Sequence, residues 1–168
     1  MTKEFWVNLP VKDLKRSKDF FTKLGFTFKP LPGDREDGAC LILGTKSVYV
    51  MMFEEKIFRS FTDTNITDTS KSNEVLFSID AENTDEVNIL AERVKKAGGK
   101  VLAGPAEKDG WMYGFGFSDP DGHLWNVLYM EPSSADQAES EEESDMDSER
   151  PSEQESGTPQ QKQEMQVP

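Results

Sequence analysis

The chain has 168 residues, with 32 acidic against 19 basic side chains, one histidine and one cysteine. That length predicts one domain with a core of ordinary size. A single cysteine excludes an intrachain disulfide, and a single histidine excludes any site that needs two imidazoles. No apolar run approaches the roughly 20 residues that span a bilayer, and Met1-Thr2-Lys3-Glu4 leads into a strand without an apolar signal core, so a reducing cytoplasm is the expected setting.

The charge is unevenly spread. Residues 132–168 carry 11 acidic and 2 basic side chains and no aromatic residue. Such a segment cannot bury enough apolar surface to offset its ordering entropy, so it reads as an acidic disordered tail, serving either as an interaction tail or as a solubility device. Residues 1–131 hold 21 acidic and 17 basic groups with no basic stripe, which gives no electrostatic reason to bind nucleic acid.

In chain order, Phe5 to Leu9 reads as a short strand. Pro10 and Asp13 open a helix, with Asp13 as N-cap and Leu14, Ser17, Phe21 and Leu24 on one face; Gly25 ends it. Phe26 to Phe28 is a second strand. After a loop over 30–37 come hairpin strands Ala39–Leu43 and Val48–Phe53. Residues 54–73 read as a short helix, with Ile57, Phe58 and Phe61 on one side, followed by a polar linker. Glu74 to Asp80 is then a strand. Asn83 and Glu86 form a capping-box pattern ahead of the stripe Val87, Leu90, Ala91, Val94 and Ala97, and Gly98-Gly99 stops that helix. A strand over Lys100 to Leu102 and a hairpin from Trp111 to Met130 complete the order.

The order repeats. Gly38 to Glu55 superimposes without a gap on Gly114 to Glu131, placing Val48 on Leu124 and Tyr49 on Trp125. Each half is strand, helix and three strands. The predicted fold is therefore α+β: two βαβββ modules, 3–55 and 73–131, within a domain over 1–131, forming a curled mixed sheet or cup with helices outside. Strand alternation puts Val7, Leu9, Tyr49, Met51, Phe77, Ile79, Trp125 and Val127 toward the helices. It puts Trp6, Asn8, Val48, Val50, Met52, Glu74, Leu76, Ser78, Leu124, Asn126 and Leu128 toward the ligand side; the inverse parity is the alternative, but the first set is the more uniformly apolar, as a helix-covered face should be.

NLPVKDLKRSKDFFTKLGFTF in the first half and FSDPDGHLWNVLYM in the second resemble the vicinal oxygen chelate superfamily. That group includes glyoxalase I, bleomycin-resistance proteins, fosfomycin-resistance enzymes and extradiol dioxygenases. The resemblance covers about residues 3–131 and comes nearest to the branch called predicted lactoylglutathione lyases. Metal-dependent members place one ligand on the first and one on the last strand of each module. Those positions fall here on Trp6, Val50 (or Met52 if that strand is shifted), Glu74 and Asn126, where glyoxalase-type members hold His or Gln, Glu, His and Glu. A catalytic zinc or nickel site needs about three protein ligands. Only Glu74 and Asn126 offer oxygens, so no strongly bound metal is expected; a weakly held divalent ion on that pair is the alternative.

The resemblance thus implies a protein that binds a small organic molecule in the cup, as bleomycin-resistance proteins do. Glu74, Asn126 and Asn8 are the polar anchors, and Trp6, Val50, Met52, Leu76 and Leu128 the apolar walls, with the Tyr113 hydroxyl at the mouth. The alternative is a metal-assisted lyase or isomerase of the lactoylglutathione lyase type, with Glu74 abstracting a proton beside a carbonyl. His123 reads as a residue that caps or packs at the hairpin, and Cys40 as an inert packed thiol. By the same resemblance the partner is a second copy, in a homodimer formed through outer strands, with no membrane and no nucleic acid involved.

Overall fold

The computed structural model describes residues 5–31, 37–44 and 48–131. The expected tail over 132–168 and the first two residues of the first module lie outside them.

The first module comprises β1 (Trp6–Val11), α1 (Leu14–Leu24), β2 (Thr27–Lys29), β3 (Gly38–Leu43) and β4 (Val48–Glu54). After α2 (Glu55–Thr62) the second comprises β5 (Leu76–Asp80), α3 (Thr84–Ala97), β6 (Lys100–Lys108), β7 (Met112–Ser118) and β8 (Leu124–Met130). The sheets are four-stranded with orders β1-β4-β3-β2 and β5-β8-β7-β6. β1 runs parallel to β4 and β5 parallel to β8, while the remaining pairs are antiparallel. Among the described residues no strand pair joins the two sheets, so this α+β cup is open rather than a closed barrel. Among the described residues no helix is long and apolar enough to cross a membrane.

The helix signals act as their chemistry requires. The Asp13 carboxylate accepts from the Arg16 N–H at 2.9 Å, and Gly25 ends α1 at φ +105°, where a side chain would be strained. Asn83 accepts from the Glu86 N–H, while the Glu86 carboxylate accepts from the Glu82 N–H rather than from that of Asn83 itself. β5 begins at Leu76, two residues later than expected, which leaves Glu74 ahead of the strand.

Helices α1 and α3 feed one core. On α1, Leu14, Phe20, Phe21 and Leu24 are buried against Val50, Met52 and Leu41 of the first sheet. The same helix reaches the second sheet, with the Phe21 ring 5.3 Å from Trp125 and the Phe20 ring 6.2 Å from Phe117. α3 closes on α1 and on β6, β7 and β8. Each fully buried Phe contributes about 1.5–3 kcal/mol through the apolar surface it removes from water. Since both sheets turn their helix-bearing faces to this shared core, their bare faces point away from it.

One strand is turned over relative to its sequence reading. Val50 and Met52 are buried in the core, and Tyr49 and Met51 take the bare face, paired in register with Trp6 and Asn8. The gapless repeat misplaces them because the hairpins differ by one residue. Gly38 pairs with Phe53, but Gly114 pairs with Leu128 and not Tyr129. In a period-two strand, one residue exchanges the faces.

Candidate functional site

The densest polar cluster is the turn between β7 and β8. Asp119 is buried, and its Oδ1 accepts from the backbone N–H groups of Asp121 and His123 at 2.9 and 3.0 Å. Its Oδ2 accepts from Trp125 Nε1 at 3.2 Å. Burial pushes the Asp119 carboxyl above its ordinary range, opposed by the His123 charge and by these hydrogen bonds. Asp121, also buried, reaches the other module: Lys12 N–H donates to Oδ1 at 2.8 Å, Ser17 Oγ donates to Oδ2 at 2.7 Å, and the Arg16 guanidinium pairs with Oδ1. His123 Nε2 donates to the Pro10 carbonyl at 2.8 Å. The SDPDGH stretch is thus a clamp between the modules, and His123 packs at the hairpin as its setting implied.

The bare face of the second sheet has a different character. Leu76, Ser78 and Asp80 of β5 stand in register with Leu124, Asn126 and Leu128 of β8, and next to them come Ser118, Gly116, Gly114 and Met112 of β7. The side chains of the paired Ser78 and Asn126 have no hydrogen-bond partner among the described residues, and neither has that of Asp80. The two glycines keep the floor low around the amide. A Cβ at Gly116 would come within 3.4 Å of Asn126 Oδ1, and one at Gly114 within 2.5 Å of the Val127 carbonyl. On the first sheet the bare face carries Trp6 and Asn8 beside Tyr49 and Met51, with Lys29 5.0 Å over the Tyr49 ring.

The sequence-predicted site residues are therefore sorted as follows. Trp6 and Asn8 share one bare face, and Leu76, Asn126 and Leu128 share the other. Val50 and Met52 are core residues and leave the Trp6 face, which Tyr49 and Met51 share instead. Tyr113 points to the helix side instead of the mouth, because its strand parity matches buried Phe115 and Phe117; its hydroxyl donates to Asn88 Oδ1 of α3 at 3.1 Å. Glu74 is exposed, accepts from Thr67 Oγ1 at 2.9 Å, and lines a cavity of about 270 Å³ with Asn8, Phe58 and His123. A larger cleft of about 610 Å³ runs beside β1 and β5, with Val7, Phe26, Phe77, Ile79, Leu90 and Arg93 among its walls. Cys40 is buried, and burial raises its thiol pKa against the opposing effect of Lys29, which suits a packed residue. Asp80 and Gly116 were not singled out from sequence. The alternation Gly114-Phe115-Gly116-Phe117 carried the signal, since period two puts both glycines on one face.

The positions that the resemblance makes metal ligands hold few donors. Asn126 supplies a neutral amide oxygen, Glu74 lies ahead of its strand on Thr67, and Trp6 has no lone pair to give. Three His, Cys, Asp or Glu side chains do not converge anywhere among the described residues. A zinc site needs about three such ligands.

Comparison with known proteins fits this architecture. A sequence profile described as Glyoxalase/Bleomycin resistance protein/Dioxygenase superfamily matches residues 5–127. Among solved structures, hypothetical protein SA1046 from S. aureus is similar at 33% identity, covering 77% of this chain and 95% of its own, with a TM-score of 0.69. A glyoxalase-related enzyme from Fulvimarina pelagi shares the fold at 18% identity, with coverage of 77% and 88% and a TM-score of 0.65. So does a glyoxalase/bleomycin resistance protein/dioxygenase family enzyme from Burkholderia phytofirmans PsJN, at 16% identity, coverage of 75% and 97%, and a TM-score of 0.60. No curated protein matches the sequence.

Proposed function

The chain belongs to the Glyoxalase/Bleomycin resistance protein/Dioxygenase superfamily, and from that premise we propose that it is a cytoplasmic homodimer binding a small, partly apolar organic molecule on its bare sheet faces, without a strongly bound metal. The observation that carries this reading is the Ser78–Asn126 pair, whose side chains bond to no group among the described residues and are set among Leu76, Leu124 and Leu128 over a floor of two glycines. Ligand sites typically combine apolar walls, which supply most of the affinity, with a few polar groups that fix orientation. A hydroxyl and an amide each donate and accept, so they suit a molecule with a carbonyl or hydroxyl on an otherwise apolar frame.

The finer reading, a lactoylglutathione lyase with Glu74 as the proton-abstracting base, would need that carboxylate on the face beside Asn126. Its place before β5, engaged by Thr67, favours sequestration over turnover. The test is elemental analysis of protein purified without added metal, then a thermal-shift screen of small aromatic and aliphatic carbonyl compounds. Binding to the folded chain raises Tm with ligand concentration. The expected result is no stoichiometric metal, with at least one compound whose shift disappears in Asn126→Leu. Stoichiometric nickel or zinc together with turnover of methylglyoxal and glutathione would replace this reading by the lyase.

A further inference from the structure

We propose that Gly116 sets the specificity of the second sheet's bare face. Its missing side chain leaves a seat for a flat, conjugated ring, so the molecules admitted are neutral aryl carbonyl compounds in preference to saturated ones. This rests on the bare face being the ligand site, and it adds which molecules that face takes.

The two glycines of β7 differ in what the fold asks of them. Glycine weakens a strand interior, because it loses more freedom on folding than other residues and has no side chain to pack. Where it stands inside a strand it answers to a bulge, to a left-handed φ, or to the close approach of a backbone or ligand. Gly114 is accounted for by the protein itself. A Cβ there would lie 2.5 Å from the Val127 carbonyl and 2.7 Å from Leu128 Cδ2, so neighbouring atoms already fill the place. Gly116 has no such reason. Its φ is not positive. Apart from its chain neighbours, only Asn126 Oδ1 at 3.4 Å and the Trp125 carbonyl at 3.8 Å come within 4 Å of a Cβ built on it. β6 shifts register beside it, where Ala103 pairs with Gly116, yet no atom of β6 reaches that point. An alanine methyl would fit at ordinary contact distance, and the strand forgoes it.

The surroundings of this seat fix what it suits. Gly116 stands in register with Asn126, and Leu124 and Leu128 follow Asn126 on the same face of β8, one on either side. Neighbouring strands lie about 4.8 Å apart and same-face residues about 7 Å apart along a strand, so the gap is about one ring wide. Its floor is peptide backbone. A planar ring touches such a floor over its whole face, whereas a saturated ring is held off by its axial hydrogens, and dispersion falls steeply with that gap.

The polar groups stand at one end of the seat. Asn126 lies on the next strand and Ser78 on the one beyond it, in the same row. Neither side chain is held by a described residue, so the amide is free to turn its NH₂ group toward a ligand, and the hydroxyl can donate as well. A carbonyl conjugated with a ring lies in the ring plane. A ring laid flat on Gly116 therefore carries its oxygen along the row toward these two donors. Asp80, the next residue of β5 on this face, disfavours an anion, which points to a ketone or aldehyde over a carboxylate.

The test uses the full chain, isotope-labelled, with acetophenone and cyclohexyl methyl ketone, which share a carbon skeleton and a carbonyl and differ in ring saturation. Amide NMR signals report the titrations. Acetophenone should move the Gly116 and Asn126 signals and bind at least roughly tenfold more tightly than the saturated ketone. Gly116→Val should lower acetophenone affinity by roughly tenfold and bring the two ketones level, with Gly116→Ala between. Without ligand, Gly116→Ala should hold or raise Tm by about 1–4 °C, while Gly114→Ala lowers it. Equal affinity of the wild type for the two ketones overturns the proposal. So does unchanged acetophenone affinity in Gly116→Val, or a loss of stability in Gly116→Ala as large as that in Gly114→Ala. If both ketones bind equally and Asn126→Leu abolishes both, the ligand reading stands and the flat seat falls. If neither ketone moves a bare-face signal, the seat falls, and the wider thermal-shift screen decides the ligand reading on its own.

Discussion

The Asp119–His123 turn and the bare sheet face meet on one strand, yet they use polar side chains in opposite ways. In the turn every carboxylate oxygen has a donor, and the bonds reach across modules to Lys12, Arg16, Ser17 and Pro10. On the face, Ser78, Asp80 and Asn126 have none among the described residues. Polar groups that the fold matches internally hold the structure together, while those left unmatched amid leucines remain available to a ligand. The stretch with the densest polar chemistry is therefore the fastening, and the plainer strand residues are the candidates for recognition.

That contrast breaks most sharply at Asp121. Its side chain is 3% exposed and serves three donors from the first module. Asp121→Ala leaves a backbone N–H, a hydroxyl and a guanidinium without their acceptor. We expect a loss of about 3 kcal/mol, at the low end for a broken buried pair because Arg16 is partly solvated. Urea denaturation measures it, and an unchanged midpoint would show that the turn does not fasten the modules.

Asp119 comes next and adds a pH signature. Asp119→Asn must point an NH₂ group at either Trp125 Nε1–H or the two backbone N–H donors, at a cost of about 1–2 kcal/mol near neutrality. Burial raises the wild-type carboxyl above its unfolded value. In the window between those values the folded chain holds a proton that the unfolded chain releases. Wild-type stability therefore falls, relative to Asp119→Asn, as pH rises from the ordinary Asp value of about 4. Parallel stability profiles for the two proteins would contradict the assignment. His123→Ala, which removes one bond to Pro10, should cost about 1 kcal/mol in the same urea experiment.

The sequence exposed the repeated plan because both halves carry caps, stripes and glycine stops that act locally: Asp13, Gly25, Asn83 and Gly98 stand where their chemistry required. What it hid depends on counting and on distance. The face of β4 turned on a one-residue difference between hairpins that a gapless match cannot detect. The same slip sent Val50 and Met52 to the ligand side and Tyr49 and Met51 to the core. Tyr113 was misplaced because its parity with Phe115 and Phe117 is decided by α3 packing above them. The partners of Asp121 lie more than a hundred residues away, so nothing near the turn in sequence announces them. Trp6, Asn8, Leu76, Asn126 and Leu128 were legible on their faces because β1, β5 and β8 alternate cleanly.

The smallest expected effect on folding is the most informative about function. Asn126→Ala removes an amide that bonds to no described residue and sits over glycine, so stability should change by no more than about 0.5 kcal/mol. Any compound found by thermal shift should nevertheless lose roughly tenfold in affinity, the size of one hydrogen bond of about 1.4 kcal/mol. The two readouts separate the roles: a residue that fastens moves the urea midpoint, and one that recognises moves the ligand titration alone. If Asn126→Ala lowered the midpoint as far as Asp121→Ala does, the amide would belong to the fold. The bare face would then lose its claim to be the site.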